Sequence, residues 1–315
     1  MPCSVGRKSR SARALSVLLC ILLPASVHGQ TITQLGADIV GADAGAEFGT
    51  SVSLNAVGTR VAIGAPVWSS SKGKVQVYER FSGGAWTQLG QTISGTVNNR
   101  LVGESVSLNS AGDRIAVGEP NGDRVKVYEY DTSTSAWSQL GATINGEAGN
   151  DDSGQCVSLS SDGSRVAIGA PGNDGAISNG GHVRVYEYSG GAWQQLGADI
   201  DGTQQGGGAG MCCSLSADGT RVLVAASEAQ GGGAPGNNRG QSKVFEYSGG
   251  AWSQLGGAIN GVSEPACSSP SAHLLSPTSS RSHLPSSHSH SPTFQLLSHT
   301  FQLLSHAFQL LSHAF

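Results

Sequence analysis

The feature that most restricts what this chain can become is a unit of about fifty residues written four times in succession. Its closing pentad reads Trp86-Thr-Gln-Leu-Gly90, Trp137-Ser-Gln-Leu-Gly141, Trp193-Gln-Gln-Leu-Gly197 and Trp252-Ser-Gln-Leu-Gly256, with a partial copy, Ile32-Thr-Gln-Leu-Gly36, ahead of them. The spacings are 54, 51, 56 and 59 residues. A unit of this length holding four short alternating runs is a propeller-blade period; solenoid units are mostly shorter and hold fewer strands or more helix.

Inside each unit, alternation and turn chemistry predict four strands. Strand a is Ser51 to Leu54, repeated at Ser105 to Leu108, Cys156 to Leu159 and Cys212 to Leu215, with Val52 and Leu54 on one side and the serines on the other. Tight turns containing Gly58, Gly163 and Gly219 lead to strand b at Arg60 to Gly64, Arg114 to Gly118, Arg165 to Gly169 and Arg221 to Ala225. There the small side, Ala62 and Gly64, lets a second sheet approach closely. Strand c is Val75 to Glu79, Val125 to Glu129, Val183 to Glu187 and Lys243 to Glu246, and strand d is the Trp pentad. The expected fold is all-β, a β-propeller of four-stranded antiparallel blades whose four pentad tryptophans serve the packing of the blades.

Composition sets the limits of the repeat region. Residues 1–29 read as a signal peptide, with basic Arg7, Lys8, Arg10 and Arg13, an apolar run from Ala14 to Leu23 and a small-residue exit. That run is half of the roughly 20 residues a bilayer span needs, so no transmembrane segment is expected and the location is secreted or extracellular. Without the leader the chain carries 14 Lys+Arg against 22 Asp+Glu, a formal charge of −8, which argues against nucleic acid and anionic membrane as partners. The cysteines left, Cys156, Cys212, Cys213 and Cys267, are too few for a disulfide scaffold, and Cys212-Cys213 reads as buried thiols. Residues 30–261 form the repeat domain. Residues 262–315 contain no Gly and are dominated by Ser, His, Leu and Pro, a low-complexity tail ending in a heptapeptide TFQLLSH repeated over 293–313.

At strand b the letters resemble a known family. Phe48-Gly49 followed by Gly64-Ala65-Pro66 is similar to the FG-GAP repeat of integrin alpha-chain heads and many secreted propellers; later copies keep Val102-Gly103 with Gly118-Glu-Pro120, Ser153-Gly154 with Gly169-Ala-Pro171, and Ala209-Gly210 with Ala225-Ala-Ser227. The resemblance implies an extracellular binding or adhesion module. It also implies calcium in a D-x-[DN]-x-D-G loop, and here the sequence departs from the pattern. The turns at Asp162-Gly163 and Asp218-Gly219 keep one Asp each, and those at Asn55 to Gly58 and Asn109 to Gly112 keep none. No cofactor and no metal residue is therefore assigned; Asn150-Asp-Asp152 with Asn173-Asp174, on the same face of the third repeat, is the remaining oxygen-rich group for calcium.

In an antiparallel meander the short a–b and c–d turns share one face, and the variable b–c and d–a loops share the other, where recognition sits on a rigid scaffold. The candidate ligand-binding residues there are Trp68, Asn98, Asn99, Arg100, Asp123, Arg124, Asn173, Asp174, Asn237, Asn238 and Arg239. His182, the one histidine between residues 30 and 261, has no nucleophile motif beside it and reads as a solvated loop residue. The expectation is a non-enzymatic module that recognises an extracellular protein or glycan. The alternative is an extracellular hydrolase or lyase acting on polysaccharide in the propeller channel, which paired carboxylates would favour. One d strand at Ile32 to Ile39 and four complete sets leave one strand over, so either four blades close a small ring or the chain forms an open arc that self-associates.

Overall fold

The computed structural model describes residues 33–81, 83–175, 177–227 and 239–261; the leader and the tail expected from the sequence lie outside these residues. The contacts divide the chain at Asp38, and every blade lies in the unit that begins at Ile39. The first blade is β1 (Val52–Leu54), β2 (Arg60–Ala65), β3 (Lys74–Arg80), β4 (Trp86–Gln88) and β5 (Ile93–Ser94). The second is β6 (Val106–Leu108), β7 (Arg114–Glu119), β8 (Arg124–Asp131), β9 (Ala136–Gln139) and β10 (Ile144–Asn145). The third is β11 (Cys156–Leu159), β12 (Arg165–Ala170), β13 (His182–Ser189), β14 (Ala192–Gln195) and β15 (Ile200–Asp201). The fourth is β16 (Ala209–Leu215), β17 (Arg221–Ala226), β18 (Gln241–Ser248), β19 (Ala251–Gln254) and β20 (Ile259–Asn260). Each is an antiparallel meander, and together they make a four-bladed β-propeller arrangement.

The outer strand differs from expectation. What reads as one strand d is two, broken at the Leu-Gly of the pentad. The later half of strand c pairs with the first piece, as Tyr186↔Gln195 does, and its start pairs with the second, as Val183↔Ile200 does. The break falls where the pentad glycine turns left-handed, φ +70° at Gly90, and in the first three blades the next blade sits on that turn: a Cβ on Gly90 would lie 2.8 Å from Cδ1 of Trp137. Among residues 33–39 no strand forms at the expected extra d position.

Successive blades are joined by one set of contacts used three times. The indole nitrogens of Trp137, Trp193 and Trp252 donate to the carbonyls of Leu89, Leu140 and Leu196 at 2.9, 2.9 and 2.7 Å. Arg60, Arg114 and Arg165 donate through Nη1 to the carbonyls of Gly112, Gly163 and Gly219 in the following blade. Each arginine is also held by a glutamate of strand c in its own blade, Glu79, Glu129 and Glu187. The strand-a serines face the following blade: Ser53, Ser107 and Ser158 accept from the amides of Leu108, Leu159 and Leu215. Three apolar clusters fill the junctions between blades, from Val75, Val77, Ile93 and Ile115 in the first to Val183, Ile200, Leu215 and Val222 in the third.

The strands nearest the axis are β1, β6, β11 and β16, since each packs on its counterpart in the next blade. That packing is not repeated between β16 and β1. Val52 of β1 is 51% exposed, whereas Val106 and Val157 at the same position are buried; in the fourth blade Ile259 is 65% exposed, whereas Ile93, Ile144 and Ile200 are buried. Both ends of the row of blades thus present apolar sheet surface.

Candidate functional site

The residue that opens strand c occupies the same place in every repeat: Lys74, Arg124, His182 and Gln241, opposite Ala65, Glu119, Ala170 and Ala226 of strand b. Three of the four are satisfied. Lys74 Nζ meets Asp43 Oδ2 at 2.5 Å, Arg124 Nε meets Glu119 Oε2 at 2.6 Å, and Gln241 Nε2 donates to Asn260 Oδ1 at 2.7 Å. In the second blade the buried Glu119 also takes Lys126 Nζ at 2.7 Å, so that its charge is doubly compensated.

The third blade breaks the series. His182 is 1% exposed, and its Nδ1 is buried without a hydrogen-bond partner. Two carboxylates face it at distances too long for a hydrogen bond, Asp199 Oδ2 at 3.6 Å and Glu147 Oε2 at 4.0 Å. Glu147 follows β10 and reaches across from the second blade, while Asp199 stands just before β15 of the third. Both carboxylates keep a face to solvent, with side chains 47% and 25% exposed. Arg184 lies two residues along β13 on the same side, with Nη1 3.6 Å from Glu147 Oε1. Burial, then the Arg184 charge, push the His182 pKa below its usual value, against the opposing pull of Asp199, Glu147 and Asp201. The reading of His182 as a solvated loop residue is corrected: it opens a strand and is enclosed, because β15 and the chain after β10 close over it.

The supporting contacts hold the far oxygen of Asp199 and the His182-facing oxygen of Glu147. Gln195 Nε2 donates to Asp199 Oδ1 at 2.6 Å. Asn173 Nδ2 donates to Glu147 Oε2 at 3.3 Å and to Asp151 Oδ2 at 3.0 Å. The arrangement can therefore present two oriented carboxylates, an imidazole and a guanidinium to a group arriving from the loop face.

The loop residues expected to bind a ligand fall into separate groups. Trp68 lies under Lys74 Nζ, 5.3 Å from the ring centre, while the backbone of Asn99 bonds the turn beside it and Arg100 reaches the carbonyl of Asn121; Asn98 is exposed in the same loop. Asp123 Oδ2 accepts from the amide of Asn150, and Arg124 is taken up by Glu119. Asn173 is buried beside Glu147, and Asp174 caps its own turn through the amide of Asn179. Arg239 is half-buried with Nε unpartnered; Asn237 and Asn238 lie outside the described residues. Only Asn173 touches the His182 cluster. Glu147, Asp199 and Arg184 were not among the expected residues, although alignment of the four strand-c openings singles out His182 as the one imidazole among Lys, Arg and Gln. A small hollow of about 20 Å³ between the third and fourth blades is lined by Ile200, Asp201, Gln241, Lys243 and Phe245 but by none of the cluster's four side chains. Among the described residues no helix is long and apolar enough to cross a membrane.

No family model matches the chain, and no curated protein does. Similar solved structures include a candidate 6-phosphogluconolactonase of Bacteroides uniformis, 12% identical over 73% of this chain with a TM-score of 0.48. Another is the periplasmic gluconolactonase of Pseudomonas aeruginosa, 18% identical over 70% with a TM-score of 0.47. A third is a protein of Lactobacillus plantarum, 18% identical over 70% with a TM-score of 0.46. The chain spans 60%, 58% and 57% of their respective lengths.

These findings correct the FG-GAP assignment and what was drawn from it, the integrin-like, cell-adhesion, non-enzymatic reading. No family model matches, FG-GAP included, and two of the similar structures are named as a candidate 6-phosphogluconolactonase and a gluconolactonase. The physical reason is that the letters behind the resemblance are packing letters. The amide of Gly49 donates to the carbonyl of Gly64 at 2.9 Å, and a Cβ on Gly64 would stand 2.0 Å from the carbonyl oxygen of Gly103 in the next blade. Gly118 and Gly169 stand in the same relation to Gly154 and Gly210. Glycine is required wherever two inner strands cross that closely, whatever the protein binds.

Proposed function

We propose that the chain is a hydrolase of carbohydrate-type substrates, working outside the cytoplasm, with Glu147 and Asp199 as its catalytic pair. The observation that carries the reading is the meeting of these two carboxylates, from different repeats, within 4.8 Å of one another and of the unpartnered Nδ1 of His182. Paired carboxyl groups at about 5 Å are the working parts of bond hydrolysis at a sugar carbon. At this separation one carboxylate attacks the sugar carbon while the other gives its proton to the oxygen that leaves, and that second carboxylate then takes a proton from the water whose oxygen displaces the first and frees the sugar. Arg184 supplies fixed positive charge beside the oxygen that becomes anionic. The site lies on the loop face beside strand c, not in the channel lined by the inner strands. The location rests on the leader read in residues 1–29.

The test is hydrolysis by the full chain of a panel of oligosaccharides, aryl glycosides and sugar lactones. Glu147→Gln and Asp199→Asn are each expected to lower kcat/KM by 100-fold or more, with Asp131→Asn, on the opposite turn face, unchanged. Wild-type turnover that survives both substitutions would overturn the assignment, as would no turnover of any member of the panel.

A further inference from the structure

We propose that Glu147, His182 and Asp199 form a binding site for a divalent transition-metal ion of the zinc, cobalt or manganese class. The inference rests on the hydrolytic reading of this site and changes the roles within it: with an ion bound, Glu147 and Asp199 would be its deprotonated ligands, and water activated by the ion would replace their direct acid–base work. Carboxylates near one another are ordinary on protein surfaces. What distinguishes this group is the imidazole: Nδ1 of His182 is wholly enclosed, makes no hydrogen bond, and points at both carboxylates. A buried nitrogen left without a partner costs about 1–3 kcal/mol, and the equivalent residue in each of the other three repeats avoids that cost.

The distances explain what the nitrogen lacks. Separations of 3.6 and 4.0 Å to Asp199 Oδ2 and Glu147 Oε2 exceed the ~3.2 Å limit of a good hydrogen bond. They match donors sharing one ion: two atoms each ~2.1 Å from a tetrahedral metal stand ~3.4 Å apart. All three donor atoms lie within 4.8 Å of one another. Gln195 holds the far oxygen of Asp199, the kind of outer contact that orients a metal-binding carboxylate, and Asn173 donates to the His182-facing oxygen of Glu147 at 3.3 Å. Arg184 opposes a cation here, but Asp151 and Asp201 stand close by, and the surrounding charge remains negative.

The donor set also selects the ion. One imidazole nitrogen with two carboxylate oxygens suits zinc, cobalt or manganese; calcium wants six to eight oxygens, which this group does not supply. Three protein donors leave positions open toward the exposed sides of Glu147 and Asp199, where a bound water would have its pKa lowered toward about 7 and become the nucleophile of the hydrolysis.

The experiment is titration of the chelator-stripped full chain with Co²⁺, followed by visible absorption and calorimetry. The seven histidines beyond residue 261 contribute a background common to every variant, so the readout is the difference. Wild type is expected to bind one more Co²⁺ per chain than His182→Ala, at least tenfold more tightly than that background, with zinc competing and calcium not. Asp199→Asn, which leaves the buried imidazole and its packing in place, serves if His182→Ala misfolds, and is expected to lose the same site. Equal binding by wild type and Asp199→Asn would overturn the proposal. So would wild-type hydrolysis that Glu147→Gln abolishes and exhaustive chelation leaves intact, a result that keeps the hydrolytic reading. Stoichiometric cobalt binding without turnover of any substrate would uphold the metal site and remove the hydrolase.

Discussion

If the pentad glycine is required by blade stacking, replacing it should be costly only where another blade lies on it, and the four repeats contain their own control. Gly90→Ala and Gly256→Ala change the same pentad position at nearly the same backbone angle, φ +70° and +74°. Both pay the left-handed penalty of a Cβ, about 1 kcal/mol. At Gly90 that Cβ also lies 2.8 Å from Trp137 Cδ1 and 3.1 Å from Tyr130 Cε2, inside a junction where Trp137 is 4% exposed and its Nε1 is fixed to the Leu89 carbonyl. Forcing a methyl into such packing costs about 1–3 kcal/mol more. At Gly256 nothing lies within 4 Å. Urea unfolding of the two variants and wild type should therefore separate them by about 1–3 kcal/mol, Gly90→Ala being the weaker, and Trp137→Phe should recover part of the loss in the Gly90→Ala background. Equal losses in the two variants would refute the stacking argument, either because the glycine serves the backbone alone or because the fourth blade is covered as the first three are.

The exposed ends lead to a second expectation: at high concentration the full chain should self-associate on light scattering, and Val52→Ser with Leu54→Ser should reduce this without lowering the melting temperature. A monomer at all concentrations would show that these faces are not sticky enough to matter. The thiols supply a third. Burial pushes Cys212 up to about 12, and a hydrogen bond with Cys156, added to burial, pushes Cys213 well above the usual thiol value. At pH 8 both should alkylate roughly a thousandfold more slowly in the folded chain than after denaturation, as read by peptide mass spectrometry; labelling at the free-thiol rate would contradict their burial.

The architecture was legible because its physics repeats. Four copies of a strand pattern with a Trp and a Gly at fixed places require that one junction be built several times, and the observed junctions are built from those letters: Trp137 on Gly90, Trp193 on Gly141, Trp252 on Gly197. The split outer strand was hidden because Ile93–Ser94 is only two residues long, too short for alternation to register. The strand-a serines could be assigned to a face but not to a partner; that Ser53 accepts from Leu108, 55 residues on, depends on how two blades meet.

The candidate site was illegible for a related reason: its signal is a departure from the repeat at a position where the repeat itself varies. Lys74, Arg124, His182 and Gln241 share no chemistry in sequence, and each looks like a solvated residue at the mouth of a strand. In three dimensions Lys74, Arg124 and Gln241 are each matched by a polar neighbour from a different segment, Asp43 from before the first blade, Glu119 from strand b and Asn260 from the outer strand, while His182 alone is almost wholly enclosed and unmatched. The third repeat places two carboxylates at the same position and leaves them out of reach of the imidazole. A scaffold that satisfies the other three positions directly has no stability reason to leave the fourth unsatisfied, so the gap between His182, Glu147 and Asp199 is best accounted for by something that fills it.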